Sequence, residues 1–295
     1  MNKVKTAVFP VGGFGTRFLP ATKATPKEML PVAEKPLIQY AFEEAKAAGI
    51  EKFIFVTGRN KNSIEDHFDN AFELQHVLDE KKKKEMLEKT IGWLPPAGHI
   101  VFLRQQKPMG LGHAVLCAEK FVGNEPFIVS LADEMVYSKD GNFLKNMIDI
   151  AEEKNANVIG IAEVQKKDVS KYGIIDYSQQ NGDLFKIKNM IEKPKIDEAP
   201  SNLSNIGRYV LKPDIFNYLK NTVIGNGGEI QLTDAMKAML DKHEFYGLKF
   251  NEKRFDCGSI LGYLEANIYY SLQNKKITNN VKEIINNFYK DINNE

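Results

Sequence analysis

The stretch Val8–Pro31, VFPVGGFGTRFLPATKATPKEMLP, decides how this chain folds and what class of ligand it handles. An apolar run, Thr6–Val11, stops at Gly12, Gly13 and Gly15. Arg17 and Lys27 follow, in a loop punctuated by Pro20, Pro26 and Pro31. A buried strand that spills into glycines lets a ligand reach backbone N–H groups, because no Cβ stands in the way. Two cations on the same loop suit a phosphate ester. The spacing excludes two common glycine loops. GxGxxG would need glycine where Phe18 stands, and GxxxxGK[ST] would need it at Arg17 or Phe18. A glycine cluster alone could be an ordinary turn; with these cations and prolines it reads as a nucleotide-handling loop.

Outward from this loop, strand-like and helix-like segments alternate. Thr6–Val11, Phe53–Val56, Ile100–Arg104, Phe127–Leu131 and Val158–Glu163 read as strands. Pro36–Ala48, Glu73–Leu87, Gly112–Lys120 and Phe143–Lys154 read as helices, with the lysine run Lys81–Lys84 on a solvated face. The alternation predicts an α/β fold with a Rossmann-like, doubly wound, mostly parallel sheet. Ligands then bind beyond the carboxyl ends of the strands. Gly12–Arg17, Gln105–Gly112 and Asp133 each follow a predicted strand, so three loops should converge on one rim. Between Tyr172 and Tyr209 the texture changes to short β segments, Gly173–Tyr177, Leu184–Glu192 and Ile206–Leu211. They suggest a smaller β-containing subdomain, roughly residues 165–211, inserted in the sheet or packed on it. Helices return at Glu229–Asp241 and Ile260–Leu272. The expected organisation is one domain over residues 1–274 and a polar tail, 275–295, read as an exposed helix and a candidate subunit contact.

Composition narrows the partners. With 295 residues and 43% hydrophobic content the chain can bury a sizeable core. Forty basic against 39 acidic residues leave a net charge of +1, so no global field recruits nucleic acid or an anionic membrane. Cys117 and Cys257 are too few for a disulfide framework and lack metal-ligand spacing, which fits a reducing cytoplasm. The first apolar run is too short for a signal segment, and no stretch approaches the ~18 apolar residues of a membrane span.

Four further residues have chemistry legible in their own context. Asp133 ends the apolar strand of FIVSLADE, and Asp256 repeats the arrangement in KRFDCG. Hard carboxylates at strand ends beside a phosphate loop suit Mg²⁺, which takes one or two protein carboxylates plus phosphate oxygens and water. Gln105, in RQQKPMGLGHA, offers a donor and an acceptor that match O4 and N3–H of uracil, and Gly110 and Gly112 open the backbone to a base. His113 is tempting as a general base but reads as structural.

The run GGFGTR…PKEMLP resembles the signature of the sugar-1-phosphate nucleotidyltransferases. The pieces PATKATPKEMLP, KNSIEDHFD, GLGHAVLCA, KPKIDEAPSN and GEIQLTDA resemble the bacterial uridylyltransferase branch of that family. The likeness spans roughly residues 3–272. It implies that UTP and α-D-glucose 1-phosphate give UDP-glucose and pyrophosphate, with Mg²⁺ on Asp133 and Asp256. It implies that Arg17 and Lys27 do the catalytic work and that Gly12, Gly13, Gln105 and Gly110 hold the nucleotide. Glu192, Lys193 and Gly173 then take the sugar phosphate, the glycine letting the sugar lie against backbone. It also implies a homodimer or homotetramer. Glu134 stands where many relatives carry a second aspartate, so it is not counted as a ligand. A glucose-1-phosphate thymidylyltransferase or other NDP-sugar pyrophosphorylase, and a catalytically silent nucleotide-sugar sensor, are the rival expectations.

Overall fold

A computed structural model describes residues 2–223 and 228–294; the last residue of the expected tail, and residues 1 and 224–227 of the expected domain, lie outside the described residues. The strands in chain order are β1 Thr6–Val11, β2 Pro31–Val32, β3 Lys35–Pro36, β4 Lys52–Thr57, β5 Ile100–Arg104, β6 Phe127–Ser130 and β7 Glu134–Tyr137. They continue as β8 Asn157–Glu163, β9 Gly173–Asn181, β10 Leu184–Glu192, β11 Leu203–Leu211, β12 Phe245–Lys249 and β13 Lys253–Asp256. Nine of them form one sheet in the order β5-β4-β1-β6-β11-β8-β12-β10-β9, whose strand order departs from chain order and so requires crossovers.

Successive residues of a strand point to opposite faces, and the core divides accordingly. Val8 of β1 with Ile54 and Val56 of β4 belongs to one apolar cluster, shared with Ala114, Val115, Leu219 and Met236 of the helices Leu111–Cys117, Ile215–Asn221 and Leu232–Met239. Phe9 and Val11, with Phe53 and Phe55, belong to the other. That one contains Ile38 and Phe42 of the helix Leu37–Ala47 and Leu144 and Met147 of the helix Phe143–Lys154. Both faces are therefore covered, which is why these strands read as continuous apolar runs. The doubly wound α/β fold expected from the alternation is the one found.

Several boundaries differ from expectation. Of the two placements expected for the segment 165–211, in the sheet or on it, its strands lie in the sheet: β11 pairs with β6 and β8 at the centre of the nine strands, while β9 and β10 form one edge. β11 is buried on both sides, as a central strand requires, even at its polar Ser204 and Arg208. Pairing is parallel through β5, β4, β1 and β6 and becomes antiparallel at β11 and β10, so these two run against the other seven. The expected helix Glu73–Leu87 is two helices, Phe72–Glu80 and Lys84–Ile91. Lys82 turns through φ 54°, with Lys82 N–H on the Asp79 carbonyl and Lys83 N–H on the Leu78 carbonyl, a left-handed helix end built at the lysine run. β7 and β13 form their own antiparallel pair with Asp256 opposite Glu134. The helix Ile260–Gln273 covers that pair, burying Ala266 with Met135 and Phe255. The helix Thr278–Asn294 follows it. Among the described residues no helix is long and apolar enough to cross a membrane.

Candidate active site

The carboxyl ends of β1, β5 and β6 open into a cleft of about 540 Å³. Nine of the eleven residues singled out in the sequence border it: Gly12, Gly13, Arg17, Lys27, Gln105, Gly110, Asp133, Glu192 and Lys193. Residues as far apart as 12 and 193 thus border one cleft; β1 and β6 are sheet neighbours, and Glu192 and Lys193 lie at and just past the end of β10.

The glycine loop holds its shape by contact with the lysine that follows it. Gly15 adopts φ +65°, and a Cβ there would come within 3.1 Å of Lys27 Cβ. The Thr22 hydroxyl donates to the Gly15 carbonyl at 2.7 Å, closing the loop on itself. Lys27 Nζ is ion-paired with Asp133 Oδ2. Burial works against both charges, but their mutual attraction outweighs it. The Lys27 pKa stays above the usual lysine value and that of Asp133 below the usual aspartate range.

Asp133 and Asp256 meet at Gly258. A Cβ on that glycine would lie 2.9 Å from Asp256 Oδ1, 3.3 Å from Asp133 Oδ2 and 3.4 Å from Arg17 Nη1. The register that sets Asp256 opposite Glu134, and the Cys257 N–H donating to the Asp133 carbonyl at 2.8 Å, create this meeting point. Tyr172 Oη donates to Asp256 Oδ2 at 2.9 Å, and the Gly258 N–H donates to Oδ1 at 3.0 Å. Burial and the Asp256 charge push the Tyr172 pKa up to about 12, so it remains a donor. Among the described residues no three His, Cys, Asp or Glu side chains cluster as a metal site. Two carboxylates facing a shared point, with the remaining positions left to phosphate and water, is the donor set expected for Mg²⁺. The residues fit the ion.

Glu134 is accounted for by its partner. Arg254 Nε and Nη2 hold its two oxygens at 2.8 and 2.9 Å, and the guanidinium lies over the Tyr172 ring at 4.7 Å. Burial raises the Glu134 carboxyl to about 7 against the pull of Arg254. Its oxygens are spent on bracing β7 against β13.

Gln105 is buried, and its Nε2 donates to the Gly110 carbonyl at 3.1 Å. The nitrogen is thus turned inward, so the side chain does not face the cleft with donor and acceptor together. Lys193 stands just past β10 at φ 46°, a left-handed conformation uncommon for a lysine, with its ammonium 3.4 Å from Glu192 Oε1. Gly173 is outside the cleft lining. A Cβ there would meet Asn205 Nδ2 at 2.6 Å, Glu192 Oε2 at 3.1 Å and Thr233 Oγ1 at 3.2 Å. The space it leaves is filled by protein, and Thr233 Oγ1 donates to Glu192 Oε2 at 2.7 Å.

Sequence reasoning passed over Glu28. Its side chain is 1% exposed and paired at 2.7 Å with Lys61, itself 6% exposed, while Oε1 has no partner and the residue borders the cleft. Burial raises its pKa against the pull of Lys61 and Lys27. A charged residue beside Lys27 in a proline-rich loop gives no sequence signal of burial; its lysine partner comes 33 positions later. Glu229 and Gln231 also border the cleft. The Gly112 N–H donates to the Ile230 carbonyl and the Ile230 N–H to the Met109 carbonyl, both at 2.8 Å, so this segment props the loop that follows β5.

Comparison with known proteins agrees with this geometry. Residues 6–272 match the profile of the nucleotidyl transferase family. A UTP–glucose-1-phosphate uridylyltransferase of Staphylococcus epidermidis is 47% identical over 97% of this chain and 98% of its own length. A UTP-bound UGPase from Acinetobacter baumannii superposes with a TM-score of 0.89 at 41% identity, over 96% of this chain and 98% of that one. A UDP-glucose pyrophosphorylase complexed with UDP-glucose superposes at 0.81 with 43% identity, over 90% and 98%.

Proposed function

Because the chain belongs to the nucleotidyl transferase family, we propose that it converts UTP and α-D-glucose 1-phosphate to UDP-glucose and pyrophosphate. It is a nucleotidyltransferase, and its likeness to a relative named for this uridylyl transfer runs over nearly the full length of both chains. The observation that carries the assignment of residues is the single cleft shared by Arg17, Lys27, Gln105, Asp133 and Lys193.

A phosphate monoester is already an anionic nucleophile at neutral pH, so the reaction needs no general base. An oxygen of glucose 1-phosphate forms a bond to the α-phosphorus of UTP, the bond from that phosphorus to the bridging oxygen breaks, and pyrophosphate leaves with the electron pair. The protein's work is to bring two polyanions into line and to neutralise the charge that spreads over the transferring group. In this reading Arg17 holds the triphosphate and Lys27 bridges the α-phosphate and the incoming phosphate. The Asp133 carboxylate holds Lys27 in position before substrates arrive. Lys193 anchors the sugar phosphate and Glu192, held by Thr233, takes sugar hydroxyls. Gly12 and Gly13 open the backbone to the nucleotide, and Gln105 and Gly110 face the base. Asp133 and Asp256 would hold Mg²⁺, which when bound supplies charge neutralisation shared by both reactants.

The reading extends to a reducing, cytoplasmic setting, supported by two free cysteines. It also extends to a homodimer or homotetramer, supported by exposed apolar residues on the last two helices: Leu261, Leu264, Ile284, Phe288 and Ile292. A coupled pyrophosphate-release assay over UTP, dTTP, CTP and ATP with several sugar phosphates tests the function. UTP with glucose 1-phosphate should be the fastest pair. A faster rate with dTTP would make it a thymidylyltransferase, and no release with any pair would make it a sensor.

A further inference from the structure

Two neighbours of different chemistry orient the Gln105 carboxamide. Its Nε2 lies 3.1 Å from the Gly110 carbonyl oxygen and 3.0 Å from His113 Nδ1. A carbonyl oxygen only accepts, so the group facing Gly110 is the amide NH₂ and not the amide oxygen. The second hydrogen of that NH₂ then points at His113 Nδ1, which must be the unprotonated ring nitrogen, with the proton on Nε2. The Cys117 thiol, one helical turn along, also faces Nδ1, at 3.9 Å. Burial lowers the His113 pKa, which favours the neutral ring this arrangement requires. With the nitrogen engaged, Oε1 is left for the Gly12 edge of the cleft, where a Cβ on Gly12 would meet it at 3.1 Å.

We infer that His113 is a specificity-positioning residue: by accepting from Gln105 Nε2 it locks the carboxamide with Oε1 toward the cleft, so that the site accepts from the N3–H edge of uracil and repels the N3 lone pair of cytosine. The inference rests on the UTP reading above. Uracil and thymine share the N3–H group, so His113 acts on discrimination against cytidine, not against thymidine. A hydrogen-bonding site rejects a mismatched edge because a polar group is then left unpaired or opposed. This holds only while the amide cannot rotate. The helix Leu111–Cys117 that carries His113 is itself fixed, through Gly112 N–H on the Ile230 carbonyl.

The test measures kcat/KM for UTP and for CTP, each with glucose 1-phosphate, in the wild type, His113→Leu, His113→Asn, Gln105→Ala and the Gln105→Ala/His113→Leu double variant. His113→Leu should lower the UTP:CTP ratio about tenfold, through KM for UTP, with kcat at saturation kept within about threefold. His113→Asn offers an amide oxygen near the place of Nδ1 and should keep the ratio. In the Gln105→Ala background His113→Leu should have no further effect, because the group it positions is gone. An unmoved ratio in His113→Leu, an equal loss in His113→Asn, or full additivity with Gln105→Ala each overturns the inference. The wild type gives an answer that needs no variant to fold: ¹⁵N-histidine NMR should show His113 protonated on Nε2, and a proton on Nδ1 overturns the inference. If the wild type released no pyrophosphate from UTP, the uridylyl-transfer reading would be at fault. Normal UTP turnover with an unmoved ratio would sink the role of His113 alone.

Discussion

At the scale of single residues, the site combines buried charges with partners distant in sequence. Asp133 and Asp256 face one point beside Arg17, and removing one charge while keeping the shape tests what they do. Asp133→Asn and Asp256→Asn should each cut turnover at least a hundredfold at limiting Mg²⁺ with Tm nearly unchanged; wild-type rates in both would remove the metal from these residues. Lys27 and Lys193 should fail differently. Methionine keeps most of the stem's bulk, so Lys27→Met should lower kcat and kcat/KM together, as loss of transition-state stabilisation does. Lys193→Met should raise KM for glucose 1-phosphate much more than KM for UTP. A selective rise in the UTP KM would place Lys193 on the wrong substrate. Lys61 is the partner of the buried Glu28. Lys61→Met leaves that carboxylate without its counter-charge and should destabilise the fold by about 3 kcal/mol, read as a lower urea midpoint at constant m-value. Lys61 and Glu28 became legible only in three dimensions, because nothing in KNSIEDHFD or PKEMLP marks a buried ion pair.

Elements decide which loops can meet. The segment Glu229–Gln231 was expected to be the first turn of a helix, but the helix begins at Leu232. The residues before it pair with the loop Met109–Gly112 through two backbone hydrogen bonds. Apolar periodicity cannot reveal this, because it reports the face a helix buries and not where backbone groups find partners before the first turn. The joint leaves no room for a side chain at Gly112, where a Cβ would lie 2.8 Å from the Ile230 carbonyl oxygen and 2.9 Å from Leu219 Cδ2. Gly112→Ala should therefore cost about 1–3 kcal/mol by overpacking and raise KM for UTP by moving Gly110 and Gln105. Chemical denaturation and initial rates on one preparation would show it; unchanged stability and KM would mean that the two segments yield without consequence. The break at Lys82 has no sequence signal, because lysine is a good helix former and no glycine or proline marks a stop there.

Over the whole molecule, the helices Ile260–Gln273 and Thr278–Asn294 leave apolar side chains in water, with Leu261 79% and Ile292 74% exposed. Their burial against a second copy would remove apolar surface at about 25 cal/mol per Å². Phe288→Glu with Ile292→Glu should therefore lower the mass seen by analytical ultracentrifugation to that of one chain, and a wild type that sediments as a monomer would refute the assembly. The sequence by itself determined the α/β alternation, the rim on which the loops gather and seven of the cleft's residues, because glycine, proline and strand-end charges are local signals; Glu192 and Lys193 came only through the family resemblance. It also pointed to the family through motifs that are contiguous in the chain. Only the tertiary structure decided that β11 lies at the centre of the sheet, that Glu134 braces Arg254, that Gly173 makes room for Asn205 and that Gln105 turns its nitrogen inward. The first three depend on a partner dozens of residues away in the chain, and Gln105 turns to Gly110 and His113, five and eight positions on, through a side-chain packing that the residue types alone do not show. Such contacts arise from register and packing, which no local pattern encodes.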